Sequence, residues 1–212
     1  MKILYEDNHI IAVDKPALLL TQPSDREQES VEEQIKALIK VRDHKSGGVF
    51  VHAVHRLDRE TSGIVIFAKT SKALSRLSQQ LRERTVIKEY CALVSGPRPE
   101  SGVYVDCLVH DNHRARVDKS GKRAELEVTE VEPFDGLWQV RVRLVTGRYH
   151  QIRAQLSTRG NAIVGDCKYG SDRPFSGIAL HHERCVFIHP TQKLSCEIYS
   201  PLSWGMKGKS SR

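Results

Sequence analysis

Short apolar runs broken by polar turns dominate the chain, and the clearest of them read as strands. Residues 10–13, 63–68, 90–94 and 140–145 combine β-branched or aromatic side chains with flanking breakers. The last run alternates apolar and basic positions, which predicts one buried face and one wet face. Helical periodicity interrupts the strands in three places. Ser30, followed three positions later by Glu33, has capping-box spacing and leads into Ile35, Leu38 and Ile39 on one face. Ser71 reads as the cap of a second helix that buries Leu74, Leu77 and Leu81 and shows Arg76, Arg82 and Arg84 to solvent. A third helix is expected over about residues 148–159, with Ile152 and Leu156 inward and Gly160 as its stop. Strands and helices do not alternate regularly. The fold class is therefore α+β rather than doubly wound.

Composition narrows the setting. The 212 residues suffice for one well-cored domain, and 39% hydrophobic content with mixed charges excludes a disordered chain. Lys and Arg number 33 against 26 acids, a net charge of +7 that favours polyanionic partners through counterion release. No run approaches the roughly 20 apolar residues that span a bilayer, and acids at Glu6 and Asp7 argue against a secretion signal. No membrane partner is expected. The five cysteines are irregularly spaced and never Cys-x-x-Cys, which suits reduced thiols and a cytoplasmic setting. Among the histidines, neither His110 with His113 nor His181 and His182 with Cys185 has a zinc-site spacing, so no metal is expected. No glycine-rich phosphate loop occurs, so nucleotide binding lacks support.

One segment concentrates chemistry. His55-Arg56-Leu57-Asp58-Arg59-Glu60-Thr61-Ser62-Gly63 lies just before the strongest strand, on a loop held by rigid scaffold. Asp58 is a carboxylate between Arg56 and Arg59, and adjacent cations would keep it ionised, as a nucleophile or base requires. Gly63 would allow close backbone approach or an unusual dihedral at the strand entry. On Arg-x-Asp alone, a surface turn with ordinary salt bridges is the commoner outcome.

The full pattern, His-Arg-Leu-Asp-x-x-Thr-Ser-Gly, resembles the catalytic motif of the RluA-type pseudouridine synthases. The likeness continues in order along the chain. Asp14-Lys15-Pro16 resembles an earlier motif, and Lys88-Glu89-Tyr90 with Ala92-Leu93-Val94 resembles a tyrosine-bearing strand. Thr146-Gly147-Arg148-Tyr149-His150-Gln151-Ile152-Arg153, Gly165-Asp166-Cys167-Lys168-Tyr169-Gly170 and the stretch around His181 and His189 follow in register. One such match would be weak; the ordered set is specific.

The resemblance implies a mixed, mainly antiparallel sheet flanked by helices, and isomerisation of uridine to pseudouridine in ribosomal or transfer RNA without cofactor or metal. It makes Asp58 the catalytic carboxylate, Tyr90 the residue packed against the target base, and Arg153 the partner of Asp58. Arg56, His55, Thr61, Ile152 and Arg148 become substrate or RNA contacts, with Ile152 forming pocket wall and Arg56 filling space left by the displaced nucleotide. A stacked uridine cannot turn, so the base must be flipped out, at a cost of a few kcal/mol.

Departures carry their own expectations. Leu18 stands where the family usually has glycine, so the turn after Pro16 should differ; His182 and Cys185 replace small or aliphatic residues, so packing there should differ. A single catalytic domain over residues 1–205 is expected, with its first strand at about Ile3 leaving no room for an accessory RNA-binding domain, and a basic tail over 206–212. RNA selection then falls to the domain itself, helped by the basic stretch 110–119, and a monomer is the simplest expectation. Two rivals remain open: an inactive RNA-binding protein on the same fold, and a nucleoside hydrolase. The latter needs a second carboxylate, and Glu60 lies beside a competing Arg59.

Overall fold

The computed structural model describes residues 1–25, 27–111, 113–202 and 204. In chain order it forms β1 (Lys2–Glu6), β2 (Ile10–Lys15), α1 (Val31–Arg42), β3 (His52–Ala53), β4 (Ser62–Ala68), α2 (Ser71–Glu83) and β5 (Ile87–Val94). There follow β6 (Gly102–His110), β7 (Ala115–Val117), β8 (Lys122–Phe134), β9 (Leu137–Leu144), α3 (Gln151–Thr158), β10 (Leu180–Ile188) and β11 (Ser195–Tyr199).

The strands make one 11-stranded sheet in the order β1-β2-β4-β10-β5-β9-β8-β6-β7, with β11 on β10 and β3 on β4. Only the β4–β10 pairing is parallel among these ladders, so the sheet is mixed and mainly antiparallel, and the class is α+β. Strands β2 and β4 are apolar at every position of their centres because both faces are covered. Ile10, Ala12, Ile64 and Ile66 pack with Ala73 and Leu77 of α2. Ile11, Val13, Val65 and Phe67 pack in the larger core with Val31, Ile35 and Ile39 of α1 and with Ile152 and Leu156 of α3. Each such side chain contributes about 1.5–3 kcal/mol by leaving water. The helices therefore sandwich the middle of the sheet.

Several local expectations shift. Ser30 does cap α1 by accepting the Glu33 N–H, yet Glu33 turns its carboxylate to Lys36, and Leu38 is exposed. The cap of α2 is Thr70, not Ser71, because Thr70 Oγ1 accepts the Ala73 N–H. Leu77 is buried on α2, while Leu74 and Leu81 are only half-buried. Helix α3 begins at Gln151, three residues later than expected, because His150 takes a left-handed conformation (φ 50°) that breaks the helix on its N-terminal side. Arg141 and Arg143 alternate with the buried Val140, Val142 and Leu144 and so lie on the opposite face of β9; Arg141 is neutralised by Glu130 and Glu183. The stretch 110–119 is mostly the β6–β7 hairpin. All five cysteines are free thiols. No helix of the described residues is long and apolar enough to cross a membrane, and the tail over 206–212 lies outside them.

Candidate active site

The loop between β3 and β4 carries Asp58, and three separate segments hold it. Thr21 Oγ1 accepts the Leu57 N–H (3.2 Å) and donates to the Leu57 carbonyl (3.1 Å). Lys15, fully buried, donates from Nζ to the carbonyls of Pro16 (2.9 Å), Leu19 (2.7 Å) and Arg59 (3.0 Å). On the far side Ile178 N donates to the Glu60 carbonyl (3.2 Å), and a Cβ on Gly177 would sit 2.7 Å from that same oxygen. Only glycine fits there. The same holds for Gly63 (φ 109°), whose Cβ would lie 2.4 Å from the His182 carbonyl where β4 and β10 run parallel, as its place at the strand entry led one to expect.

Leu18 overturns its expectation. It adopts the left-handed conformation (φ 68°) that glycine would have taken, with its side chain half in solvent. Its N–H donates to the Arg59 carbonyl (2.7 Å) and its carbonyl accepts from Arg59 Nε (3.1 Å). These bonds to the Asp58 loop hold a conformation costing about 1–2 kcal/mol.

Asp58 is partly exposed, and the cation that meets it comes from α3. Arg153 NH1 donates to Asp58 Oδ2 at 2.9 Å, as the resemblance implied. The flanking arginines are not its partners. Arg59 turns to Glu27 and the Leu18 carbonyl, and Arg56 is exposed. Nor does Arg59 compete for Glu60, whose carboxylate lies 3.7 Å from Arg153 NH1.

Arg153 is only 3% exposed, and most of its charge is matched elsewhere. Its Nε and NH2 form a fork to the buried Asp166 at 2.7 and 2.9 Å, and its guanidinium carbon lies 5.1 Å from the Tyr169 ring centroid. The fork fixes the guanidinium plane and leaves the NH1 nitrogen for Asp58. Burial alone would lower the Arg153 pKa, but Asp166 and Asp58 outweigh it and raise it.

His150 completes this side. Its Nε2 is 3.6 Å from Asp58 Oδ2, its ring stacks on Tyr149 at 3.8 Å, and its Nδ1 is 3.0 Å from the Tyr169 hydroxyl. Burial, then Arg153 and Lys168, push its pKa down to about 4, so the ring is neutral at pH 7. The Tyr169 oxygen also accepts the Ala115 N–H at 2.7 Å, which ties this corner of the site to β7.

The opposite wall is aromatic and uncharged. Tyr90 is buried on β5, stacked on His182 with centroids 4.5 Å apart and planes 14° off parallel. His182 Nδ1 lies 2.7 Å from the Ile64 carbonyl and must donate to it, while its Nε2 has no partner. His55 packs edge-on against His182, and its Nε2 accepts the Ile66 N–H at 3.3 Å. Burial, with Lys88 adding, lowers the His55 pKa to about 3. Burial, then Cys185 and Asp58, raise that of Tyr90, so its phenol stays protonated. His182 thus backs Tyr90 with a second flat ring.

These two walls enclose a cleft of about 640 Å³, lined by every residue singled out from the sequence: His55, Arg56, Asp58, Thr61, Tyr90, Arg148, Ile152 and Arg153. The volume suits one small-molecule-sized group. Among the described lining residues Asp58 is the only acid, against Arg56, Lys88, Arg148 and Arg153. Ile152, Leu144, Leu180 and Leu57 make its floor apolar. Thr61 Oγ1 is buried with no hydrogen-bond partner among the described residues. Lys15, His150, Asp166 and Tyr169 were not singled out. Each stood inside a quoted motif, but no local charge pattern marks a partner far along the chain.

A family model described as RNA pseudouridylate synthase matches residues 9–158. Ribosomal large subunit pseudouridine synthase D of Nitrosomonas europaea is 38% identical over 178 residues, covering 82% of this chain and 51% of that protein. Ribosomal large subunit pseudouridine synthase C of Vibrio cholerae is 34% identical over 212 residues, covering 94% and 65%. That of Escherichia coli is 32% identical, covering 97% and 67%. The chain thus spans between 51% and 67% of the length of these relatives. Among solved structures, human RNA pseudouridylate synthase domain containing 4 superposes with a TM-score of 0.79 at 20% identity, covering 95% of this chain and 88% of that one. Domain containing 1 gives 0.72 at 24% identity, covering 94% and 82%. Both share the fold.

Proposed function

Because this chain belongs to the RNA pseudouridylate synthase family, we propose that it isomerises uridine to pseudouridine in ribosomal or transfer RNA, with Asp58 as the catalytic carboxylate. The names of the relatives favour ribosomal RNA of the large subunit. The observation that carries the reading is one carboxylate among four cations in the cleft, held at 2.9 Å by a buried arginine. The cations suit a polyanion, and a lone acid suits chemistry that begins at the sugar.

In this reading the flipped uridine enters between the two walls. Its base lies against the Tyr90 ring, whose position is fixed by the His182 stack, and its sugar meets Asp58. Asp58 either attacks the anomeric carbon or removes the 2′ proton to give a glycal. Both routes break the bond from C1′ to N1 and turn the retained base. The bond from C1′ to C5 then forms, expelling Asp58 from C1′ in the first route and with return of the proton to C2′ in the second. C5 loses its proton and N1 gains one. Atoms balance without a cofactor. Arg153 pairs with Asp58 in a partly dry site, and Asp166 keeps Arg153 aimed. Thr61 and Arg56 are proposed as contacts to the substrate, and Arg148 to its phosphates. The protein is taken to act as a cytoplasmic monomer.

A hydrolase on the same site would need a second carboxylate across the cleft. Glu60 instead shares the Arg153 nitrogen with Asp58 and does not line the cleft. Transcripts tritiated at uridine C5 test the proposal. Tritium release with the strand intact is expected; free uracil would mean a hydrolase, and no release an inactive binder. Pseudouridine mapping in total RNA with and without the protein identifies the target.

A further inference from the structure

Beside the catalytic cleft lies a second depression of about 240 Å³. Leu81, Lys88, Gly147 and Arg148 line both, so the two adjoin. Arg82 and Arg84 complete its rim, and no acid lines it among the described residues. The local fold produces this cluster. Helix α2 ends at Arg84, which takes a left-handed conformation (φ 58°), and the chain turns back into β5 within three residues. That turn sets the last basic side chains of the helix above Lys88.

Lys88 is the unusual member. It is half-buried and makes no hydrogen bond or ion pair with any described residue, and its ammonium packs against Gly147. Burial lowers its pKa. A partly dry cation without a partner is costly, and a bound anion removes the cost. The carbonyl end of α2 places at most about half a negative charge nearby, which four cations outweigh.

We propose that this depression holds a backbone phosphate adjoining the extruded uridine, pinning the strand while the base occupies the larger cleft. The inference rests on the RNA-isomerase reading for the identity of the strand. It makes Arg82, Arg84 and Lys88 phosphate ligands, and the Lys88 ridge the point where backbone and flipped base part.

The test is the affinity of a labelled oligouridylate over a range of KCl concentrations. Arg82 and Arg84 are exposed, so the double variant R82Q/R84N should fold. It should bind about tenfold more weakly, with a log–log salt slope flatter by about 0.7 per lost phosphate contact. K40Q/K45Q makes the same charge change on and just after α1, away from both clefts, and should alter neither quantity by more than about twofold. Equal behaviour of the two double variants would overturn the inference. So would tight binding of inorganic phosphate alone to the wild type, which would mark a free-anion site. Tritium release is scored in parallel. Release by the wild type with no selective loss in R82Q/R84N sinks the phosphate site alone. No release with a selective loss sinks the isomerase reading and leaves the phosphate site standing.

Discussion

Arg153 and Arg148 stand five residues apart beside one cleft and behave as opposites. Arg153 is buried, with two hydrogen bonds to Asp166 and one to Asp58. Arg148 is exposed, and its guanidinium donates from Nε to a backbone carbonyl, that of Arg123, at 3.1 Å. The first cation is consumed inside the protein, where it fixes the position of one carboxylate. The second keeps its charge available, as do Arg56 and Lys88. The cleft therefore separates two electrostatic tasks. One cation is paired and buried, and the others face the cleft without a carboxylate among its described lining residues other than Asp58.

The largest expected effect comes from removing the acid on which the paired side converges. Asp58→Asn should leave at most a few per cent of tritium release while RNA affinity stays within about tenfold, because phosphate contacts are untouched. Substantial turnover would remove Asp58 from the chemistry.

Next comes the contrast between the two arginines. Arg153→Ala strands the buried Asp166 and should cost about 3–5 kcal/mol in urea unfolding, together with activity. Arg148→Ala should cost no more than about 0.5 kcal/mol of stability and should act on RNA affinity. Asp166→Asn sharpens the point. If Asp166 aims the guanidinium, this variant lowers kcat even where it remains folded and binds RNA normally. Equal melting temperatures for the two alanine variants would dissolve the distinction.

Much of this was legible in the sequence, though unevenly. The strand cores around Ile10, Ile64, Ala92 and Val142 were, because a continuous apolar run or, around Val142, an apolar–polar alternation is written locally. So were Ile35, Ile152 and the stop at Gly160. Leu38 was not, since helical spacing names a stripe but not its edge. The start of α3 was missed because the left-handed turn at His150 is imposed by its stack on Tyr149 and its bond to Tyr169. At the site, motif order placed Asp58, Tyr90 and Arg153 in one cleft. Local charge did the reverse: Arg56 and Arg59 looked like partners of Asp58, whereas the true partner lies 95 positions on and its own anchor Asp166 lies 13 further. Pairing across a sheet depends on register, which no single segment carries.

The aromatic side should appear in the pH dependence. His55 and His150 have pKa values pushed below 6.5 to about 3 and about 4, and His182 is also lowered. In the unfolded chain they take up protons below about 6.5, whereas the folded state resists until pH 4 or below. The unfolded state then binds more protons, so stability is full above pH 6.5 and falls as pH drops from 6.5 toward 4. Shifted carboxylates such as Glu6, held near 2, add their loss only below about 4.5. A melting temperature flat down to pH 7 and declining between 6.5 and 4.5 is expected. A flat profile to pH 4.5 would mean these rings are protonated in the fold, against the Ile66 N–H that His55 Nε2 accepts and the burial of His182.

The smallest effect belongs to Leu18, where the loop gripping Asp58 carries strain. Leu18→Gly relieves about 1–2 kcal/mol of left-handed strain and gives back about 0.4–1 kcal/mol through the freer unfolded chain. The net gain should be about 0.5–1 kcal/mol, read as a higher urea midpoint at unchanged slope. The backbone bonds to Arg59 survive the change, so Asp58 should keep its place and turnover should hold. A lower midpoint would show that the half-buried part of the leucine side chain contributes more than its dihedral costs. A higher midpoint with reduced turnover would be more informative still: the strain would then be part of how the paired side of the cleft keeps its carboxylate aimed.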